Sequence, residues 1–216
     1  MVEVQKTSAI VILALAMLAG PASVARASPD PVKAEQFIRD RIAQSMILFT
    51  EETPSRALIT RRIRGELNEN FDIHSIAAYA LGPLRTNLSA DQKQRYLGEF
   101  KDWLTETITR FVMGLRNDMP AVSPDIVRLT GTTPLGRDQI IVHSRIRQSD
   151  TMSAHVDWRL RQKGDRFLVL DIMVFGVSQA KVFRSQFAAL VSRQNRDIEG
   201  LIAELKEKNS FLSNQQ

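Results

Sequence analysis

The sequence of 216 residues is 44% hydrophobic, carries a formal net charge of +5 and contains no cysteine. This length is enough for one domain with a substantial core, and the lack of cysteine excludes disulfide bonds and thiol chemistry. The basic residues are scattered and not interleaved with aromatic residues, which argues against a nucleic-acid-binding protein. A modest positive charge instead favours attraction to anionic lipid surfaces or acidic partner proteins, with a merely soluble surface as the alternative.

The N-terminal segment has the three parts of a secretory signal peptide. A short polar start containing Lys6 is followed by the apolar run Ala9–Ala19, which is too short to span a bilayer. A Gly-Pro pair ends this run, and Ala25-Arg26-Ala27 supplies the small residues that a signal peptidase requires. We therefore expect cleavage after Ala27 and a mature chain in the periplasm; a retained membrane anchor is the alternative.

Three helices are predicted in the first part of the mature chain. Pro31 is well placed to open the first, because its fixed backbone angle suits the first helical turn. The second runs from about Ser55 to Asn70. Asp72 is the expected N-cap of the third, which ends at Gly82-Pro83. Apolar residues recur at helical spacing through all three helices.

A long helix follows, and it carries the strongest local signal of the chain. Ser89 and Gln92 form a capping-box pattern, in which each side chain accepts a hydrogen bond from the backbone of the other. Behind this cap lies one continuous apolar stripe, which must cover an apolar surface. The stripe consists of Leu97, Phe100, Leu104, Ile108, Phe111 and Leu115.

After Pro120 the apolar pattern changes from helical to alternating, which predicts four strands joined by direct antiparallel hairpins. The strands are Asp125–Leu129, Gln139–Arg147, Ser153–Lys163 and Arg166–Val174. A turn region is predicted at Gly131–Asp138 and a hairpin turn at Lys163-Gly164-Asp165. A helix through Val182 and Val191 follows, then a left-handed turn at Asn195 and a last helix, Ile198–Lys208.

These elements predict an α+β protein, in which helices cover the apolar face of a curved antiparallel sheet of about four strands. A single domain would span residues 28–216, with a helical part at 28–120, the sheet at 121–175 and C-terminal helices at 176–210. A sheet and a long helix that meet only partway leave an apolar cone between them. That cone is either a filled core or a ligand pocket.

Residues that could carry catalysis have simpler structural interpretations. His143 and His155 lie on polar strand faces, and no spacing suits a metal or cofactor site. Ser178 and Lys181 match the S-x-x-K motif of penicillin-recognising enzymes, but the companion motifs are missing and an N-cap explains Ser178 better. Asp171 interrupts an apolar strand and could act as a general base; a structural acid is the favoured interpretation. We therefore predict no catalytic residue, metal or cofactor.

A specific set of residues follows a fixed order along the mature chain. The set is Phe71-Asp72, Leu81-Gly82, Phe100, the strand Phe167-x-Val169-x-Asp171, Gly176-Val177-Ser178 and Phe187. It resembles the toluene-tolerance/MlaC family of periplasmic lipid-binding proteins, and the likeness covers most of the mature chain. The chain is at least as similar to the hopanoid-associated HpnM branch of that family, so either a glycerophospholipid or a hopanoid could be the cargo.

The resemblance implies a fold related to nuclear transport factor with extra helices at both ends. It also implies a carrier that ferries phospholipid between a complex in the outer membrane and an ABC transporter complex in the inner membrane. Two positions depart from the family pattern, with Leu84 where many members have tryptophan and Phe111 where many have tyrosine. Both remain apolar, which keeps a pocket but leaves its shape and cargo open.

The apolar stripe, the inner strand faces and the phenylalanines of the penultimate helix together exceed what one sheet face needs. We therefore predict a lipid pocket with a sheet wall and a helix wall, and with the headgroup at the mouth. The sheet wall consists of Val142, Ile146, Val156, Trp158, Leu160, Leu170 and Ile172, and the helix wall of Leu104, Ile108, Phe111, Phe183 and Phe187. A pocket enzyme with Asp171 as base and a filled-core envelope scaffold are the two other hypotheses.

Overall fold

The computed structural model describes residues 28–50, 54–118, 126–147, 153–193 and 197–214. These residues form six α-helices, one 3-10 helix and a five-stranded antiparallel sheet, which confirms the predicted α+β class. The predicted signal peptide and the turn at Asn195 lie outside the described residues. Within the described part of the chain, no helix combines the length and the apolar character that crossing a membrane requires.

Four α-helices precede the sheet, and their starts follow the predicted caps. The helices are α1 Pro31–Thr50, α2 Arg56–Asn70, α3 Ile73–Leu81 and α4 Ala90–Asp118, with the 3-10 helix Gly82–Asn87 after α3. Ser55 and Asp72 each accept a hydrogen bond from the backbone N–H three residues on, and so cap α2 and α3. Ser89 and Gln92 exchange the two bonds of the capping box at the start of α4.

The five strands are neighbours in chain order and all pair antiparallel. They are β1 Val127–Leu135, β2 Gln139–Arg147, β3 Ser153–Lys163, β4 Arg166–Val174 and β5 Val177–Ser178. The order agrees with the predicted direct hairpins, and the predicted turn at Gly164 joins β3 to β4. The fifth strand, only two residues long, was not predicted because so short a segment has no alternating pattern.

The first strand is longer than predicted. The turn region expected at Gly131–Asp138 is wrong, because β1 continues to Leu135 and the turn is confined to residues 136–138. Gly131 has a φ of 133° and lies at a register shift after Leu129, which marks a β-bulge. Glycine, threonine and proline are typical of turns, but pairing with β2 holds these residues in the sheet.

Two helices close the described chain, α5 Gln179–Arg193 and α6 Ile198–Asn214. Ser178 accepts a hydrogen bond from the N–H of Lys181 at 3.1 Å, which confirms its predicted role as an N-cap. The turn before it contains Phe175 and Gly176, with φ of 50° and 78°. A positive φ is ordinary for glycine but uncommon for a bulky side chain, so Phe175 holds a strained conformation.

The helices α2 to α6 pack around one apolar core, which we call the helical cluster. Its centre is a set of aromatic rings whose centroids lie 5.2–6.5 Å apart, namely Tyr96, Phe100, Trp103, Phe183 and Phe187. The Tyr96 hydroxyl donates to the carbonyl of Ala77 at 3.0 Å, and burial raises the pKa of this phenol. Such edge-on aromatic contacts stabilise a rigid packing between helices.

Ion pairs at two places join the outer helices to this cluster. Arg56 of α2 contacts Glu106 of α4 at 2.5 Å and donates to the carbonyl of Leu212 in α6 at 2.7 Å. Arg95 of α4 binds Glu199 of α6 through two bonds of 2.7 and 2.8 Å. Hydrogen bonds from Arg95 lower the pKa of Glu199 to about 2. These contacts fix the last helix against the long one.

Candidate functional site

The inner face of the sheet carries most of the predicted sheet wall. The register aligns Val142 of β2 with Trp158 of β3 and Ile172 of β4, so these three side chains form one row. The next row contains Leu160, opposite Ile140 and Val169. Because side chains alternate between faces along a strand, both rows lie on the same face. The alternating sequence pattern therefore predicted correctly which face of the sheet these residues lie on.

Helix α1 covers part of this inner face. Ala34 and Ile38 of α1 are completely buried against the sheet, together with Val142 and Leu160, in what we call the sheet cluster. Phe37 and Ile42 of α1 add to its edge. Helix α1 was not among the predicted walls, although Phe37, Ile38 and Ile42 have the helical spacing that signals an apolar face.

The inner face continues past the part that α1 covers. Val156 is only 6% exposed and aligns with Ser144 and Val174, one row beyond Trp158. Ile146 is half-buried and lies one row further. Neither residue belongs to the sheet cluster among the described residues. This end of the sheet thus carries apolar side chains outside the sheet cluster that α1 covers.

One buried polar contact lies on this apolar face. The Ser144 hydroxyl donates to the carbonyl of Val156 at 2.6 Å and accepts a bond from the Trp158 indole N–H at 3.2 Å. Both polar groups are therefore satisfied without exposing a hydrogen-bonding atom to the interior. The face remains effectively apolar, and the orientation of the Trp158 ring is fixed.

Leu170 differs from the rest of the predicted sheet wall. It has no aligned partner on β3, because Arg159 aligns with Asp171 and Leu160 with Val169. Leu170 is therefore the extra residue of a β-bulge and is half-buried. Strict alternation along β4 breaks at this point, and a sequence pattern cannot show where such a bulge lies.

The predicted helix wall lies apart from the sheet wall. Leu104 and Phe187 are buried in the helical cluster, and Ile108 and Phe183 pack against it as partly buried residues. Phe111 is 68% exposed, beside a shallow groove of about 310 Å³ that Thr107, Arg110 and Leu212 also line. The two walls thus belong to different clusters within the described residues. Phe71, which packs against both clusters, connects them.

Asp171 has two hydrogen-bond donors in place. One carboxylate oxygen accepts from the Ser178 hydroxyl at 2.5 Å and the other from the backbone N–H of Ala180 at 3.0 Å. The carboxylate therefore ties β4 to the start of α5, near the positive end of the helix dipole. This geometry agrees with the structural acid that the sequence analysis favoured.

The polar face of the sheet contains a short hydrogen-bonded chain. His143 contacts Asp157 through Nδ1 and Thr133 through Nε2, both at 2.8 Å. The three residues lie on neighbouring strands, so the contacts form a cross-strand ladder. Both ring nitrogens of His143 are occupied, and none of the described parts of the chain gathers three or more possible metal ligands.

A comparison with protein-family models identifies the chain. The model described as MlaC protein matches residues 43–207, which is more than half of the sequence. The chain belongs to the MlaC family. This confirms the family suggested by the sequence, but the match does not assign the chain to the hopanoid-associated branch.

A solved structure has the same fold as this MlaC-family chain. It is the phospholipid-binding protein from Ralstonia solanacearum, in complex with a phospholipid. The two chains are 17% identical, and they align with a TM-score of 0.65 over 85% of this chain and 98% of the other. No curated protein matches the sequence closely enough to count as a relative.

Some of the residues on which the resemblance rested meet in space. Phe71 forms a parallel bridge with Val169, and the N–H of Asp72 donates to the Val169 carbonyl at 2.9 Å. The Asp72 carboxylate also binds Arg161 of β3 at 2.9 Å. These contacts join the start of α3 to the sheet. The family motif therefore marks the joint between the helical and sheet layers, and a second joint lies at Asp171 and Ser178.

Proposed function

We propose that this MlaC-family protein is a periplasmic carrier that binds the acyl chains of a phospholipid on the inner face of its sheet. It would shuttle this lipid between a complex in the outer membrane and an ABC transporter complex in the inner membrane. The observation that carries the proposal is the apolar inner face beyond α1, where Val156 and Ile146 lie. Family membership and the phospholipid in the Ralstonia structure support it.

The physical requirement on such a carrier is modest. Two acyl chains of about thirty methylenes gain roughly 24 kcal/mol when transferred from water to an apolar site, at about 0.8 kcal/mol for each CH₂. Relative to a bilayer the net change is near zero, so the lipid can enter and leave reversibly. The carrier itself needs no catalytic residue, and a partner would have to supply the energy that gives transport a direction.

The predicted wall residues take different parts in this proposal. On the sheet side, Ile146, Val156, Trp158 and Ile172 would contact the acyl chains directly, with Leu170 at the bulge. Val142 and Leu160, which are completely buried beneath α1, would support this wall from behind. On the helix side, Ile108, Phe111 and Phe183 retain surface for a ligand. Leu104 and Phe187, at 5% and 3% exposure, would support the wall from behind. The headgroup would lie at the mouth in solvent.

The proposed location follows from the leader. A cleaved signal peptide at residues 1–27 would deliver a single lipid-binding domain, residues 28–216, to the periplasm. There the protein could meet both membranes. A hopanoid is the alternative cargo, because the inner face is apolar throughout and selects for hydrocarbon rather than for a headgroup.

The first test is native mass spectrometry of the protein purified from the periplasm, followed by solvent extraction and lipid analysis. We expect a stoichiometric phospholipid. A hopanoid would preserve the carrier and change its cargo. A lipid-free mass that persists after incubation with liposomes would refute the carrier and favour a scaffold with a filled core.

A pair of substitutions tests the location of the lipid. Val156→Asp and Ile146→Arg each place a charge on the inner face, where burying it against acyl chains costs several kcal/mol. We expect lipid retention to fall at least about tenfold in both, while circular dichroism shows a folded protein. Ser153→Asp is the matched control, because Ser153 is an exposed residue of the same strand on the opposite face. Wild-type lipid content in both variants would refute this location.

A further inference from the structure

One row of exposed side chains crosses three strands on the outer face of the sheet and ends just after the fourth. Arg128 of β1 aligns with Arg145 of β2, and Arg145 aligns with His155 of β3. The N–H of Phe175, just after β4, donates to the His155 carbonyl at 2.9 Å and continues the row. All four side chains are exposed. With strands about 4.8 Å apart, the row is about 14 Å long. We call it the outer row.

The positive charge of the outer row has no compensation among the described residues. Two arginines directly opposite each other on neighbouring strands repel, which disfavours such a pair unless an anion is shared. Neither Arg128 nor Arg145 makes an ion pair or side-chain hydrogen bond with any described residue. Elsewhere on the same face, Arg159 binds Gln139 and Arg161 binds Asp72. The arginines at one end of this face therefore have side-chain partners, whereas Arg128 and Arg145 at the other end have none within the described part of the chain.

An open cleft lies beside the unpaired arginines. It has a volume of about 720 Å³, and Arg128, Arg145 and His155 are among the residues that line it. Two carboxylates also reach it, but both are already engaged. Glu35 contacts Arg39 at 3.5 Å, and Asp157 contacts His143 at 2.8 Å. The cleft thus offers two guanidinium groups that no described residue engages, in a space large enough for phosphate-containing headgroups.

An exposed aromatic residue lies at the end of the row opposite to Arg128. Phe175 is 61% exposed and belongs to the tight turn between β4 and β5. It is next to His155, so about 10 Å separate it from Arg145. An exposed aromatic residue and basic side chains on one surface are the combination found where proteins contact the headgroup region of a membrane.

We propose that the outer row is a docking surface for the headgroups of an anionic phospholipid bilayer. Arg128 and Arg145 bind headgroup phosphates, for which paired guanidinium groups have the right geometry and charge. Phe175 enters the interface at the other end of the row. The surface lies on the face opposite to the proposed acyl-chain wall, so a docked carrier would keep its lipid away from the contact. This goes beyond lipid binding, because it concerns how the protein meets a membrane.

The test is co-flotation of the full protein with vesicles of phosphatidylcholine alone, or mixed with phosphatidylglycerol. We expect binding to the anionic vesicles only, and its loss as salt rises from about 0.1 M to about 1 M, where screening shortens from ~10 to ~3 Å. Arg128→Gln combined with Arg145→Gln removes two charges that each contribute about fivefold, so binding should weaken about 25-fold.

A matched control separates the outer row from net charge. Arg61→Gln combined with Lys93→Gln also removes two positive charges, from exposed positions on α2 and α4. We expect this pair to bind anionic vesicles like the wild type. An equal loss in both pairs would overturn the proposal, because net charge alone would then explain binding. Unchanged binding after the Arg128 and Arg145 substitutions would also overturn it and favour an acidic protein surface as the partner.

The aromatic residue provides a second and independent variant. Phe175→Gly removes the ring and suits the positive φ, so the turn should keep its shape. We expect weaker binding to anionic vesicles, and wild-type binding would overturn the role of the ring. Lipid content measured by mass spectrometry in the same samples should stay unchanged. Membrane docking can therefore fail while lipid binding succeeds, and lipid binding can fail while docking succeeds. The two proposals are thus distinguishable.

Discussion

The two apolar clusters are built in different ways. The helical cluster contains interlocked aromatic rings contributed by two helices, with Phe100 completely buried at the centre. The sheet cluster is mainly aliphatic, and within the described residues α1 supplies its helical cover. A close-packed aromatic interior leaves little room for a ligand, because the side chains already fill the space between the helices. The sheet face depends on fewer partners, and it is therefore the better candidate for contact with a lipid.

This difference changes how the long apolar stripe of α4 is understood. The stripe was predicted to be one wall of a pocket, and its length suggested a surplus of apolar surface. In the structure, Phe100 and Leu104 face α5 and the other helices rather than the sheet. An apolar stripe in a sequence thus predicts that these side chains are buried, but it does not predict which other element they pack against.

The largest expected effect comes from emptying the helical cluster. Phe100→Ala removes a ring that contacts Tyr96, Trp103 and Phe187, and the cavity should cost about 3–5 kcal/mol in the free energy of unfolding. Chemical denaturation measures this loss. Phe211→Ala is the control, because Phe211 is 61% exposed and its truncation should cost far less. If Phe100→Ala lost bound lipid without losing stability, the helical cluster and not the sheet face would be the lipid site.

A smaller effect is expected at the joint between sheet and helices. Asp171→Asn keeps the shape of the side chain but removes the negative charge of the carboxylate. Because this carboxylate accepts hydrogen bonds from Ser178 and Ala180, the substitution should lower the free energy of unfolding by about 2 kcal/mol. Bound lipid should be retained in the folded protein. Asp165→Asn, in the exposed hairpin turn, is the matched control. A pocket enzyme with Asp171 as base would instead lose turnover without losing stability.

The smallest expected effect is spectroscopic, and it uses the one tryptophan present in each cluster. The chain has two tryptophans, Trp103 in the helical cluster and Trp158 on the inner sheet face. In Trp103→Phe protein, fluorescence from Trp158 should shift to longer wavelength when lipid is extracted, because water replaces acyl chains at the sheet. In Trp158→Phe protein, the emission of Trp103 should not move. A shift of Trp103 alone would assign the lipid to the helical cluster.

Much of the fold could be predicted because its signals are local. The caps at Asp72 and Ser89 each need only a carboxylate or hydroxyl placed before an apolar periodic segment. The long alternating strands were equally clear. The extension of β1 beyond Gly131 was missed, because pairing with β2 decides the conformation of residues that favour turns when considered alone. The residues of a segment alone do not predict long-range pairing of this kind.

The candidate site was predictable only as two separate faces. Alternation identified the inward residues of β2 and β3, and helical spacing identified the stripe of α4. Which faces meet depends on how the layers dock, and the contact of α1 with the sheet through Ala34 and Ile38 was therefore missed. The bulge at Leu170 and the uncompensated pair Arg128 and Arg145 likewise appear only when the register between strands is known.

The bulge in β1 also affects whether two molecules can pair edge to edge through their sheets. This strand is the end of the sheet, and the backbone groups on its outer side could template a strand from a second molecule. Gly131 interrupts the regular spacing of those groups, and Pro134 has no N–H to offer. A continuous intermolecular ladder therefore cannot form along β1. At high concentration the protein should resist edge-to-edge aggregation, even though nine residues of strand lie at its border.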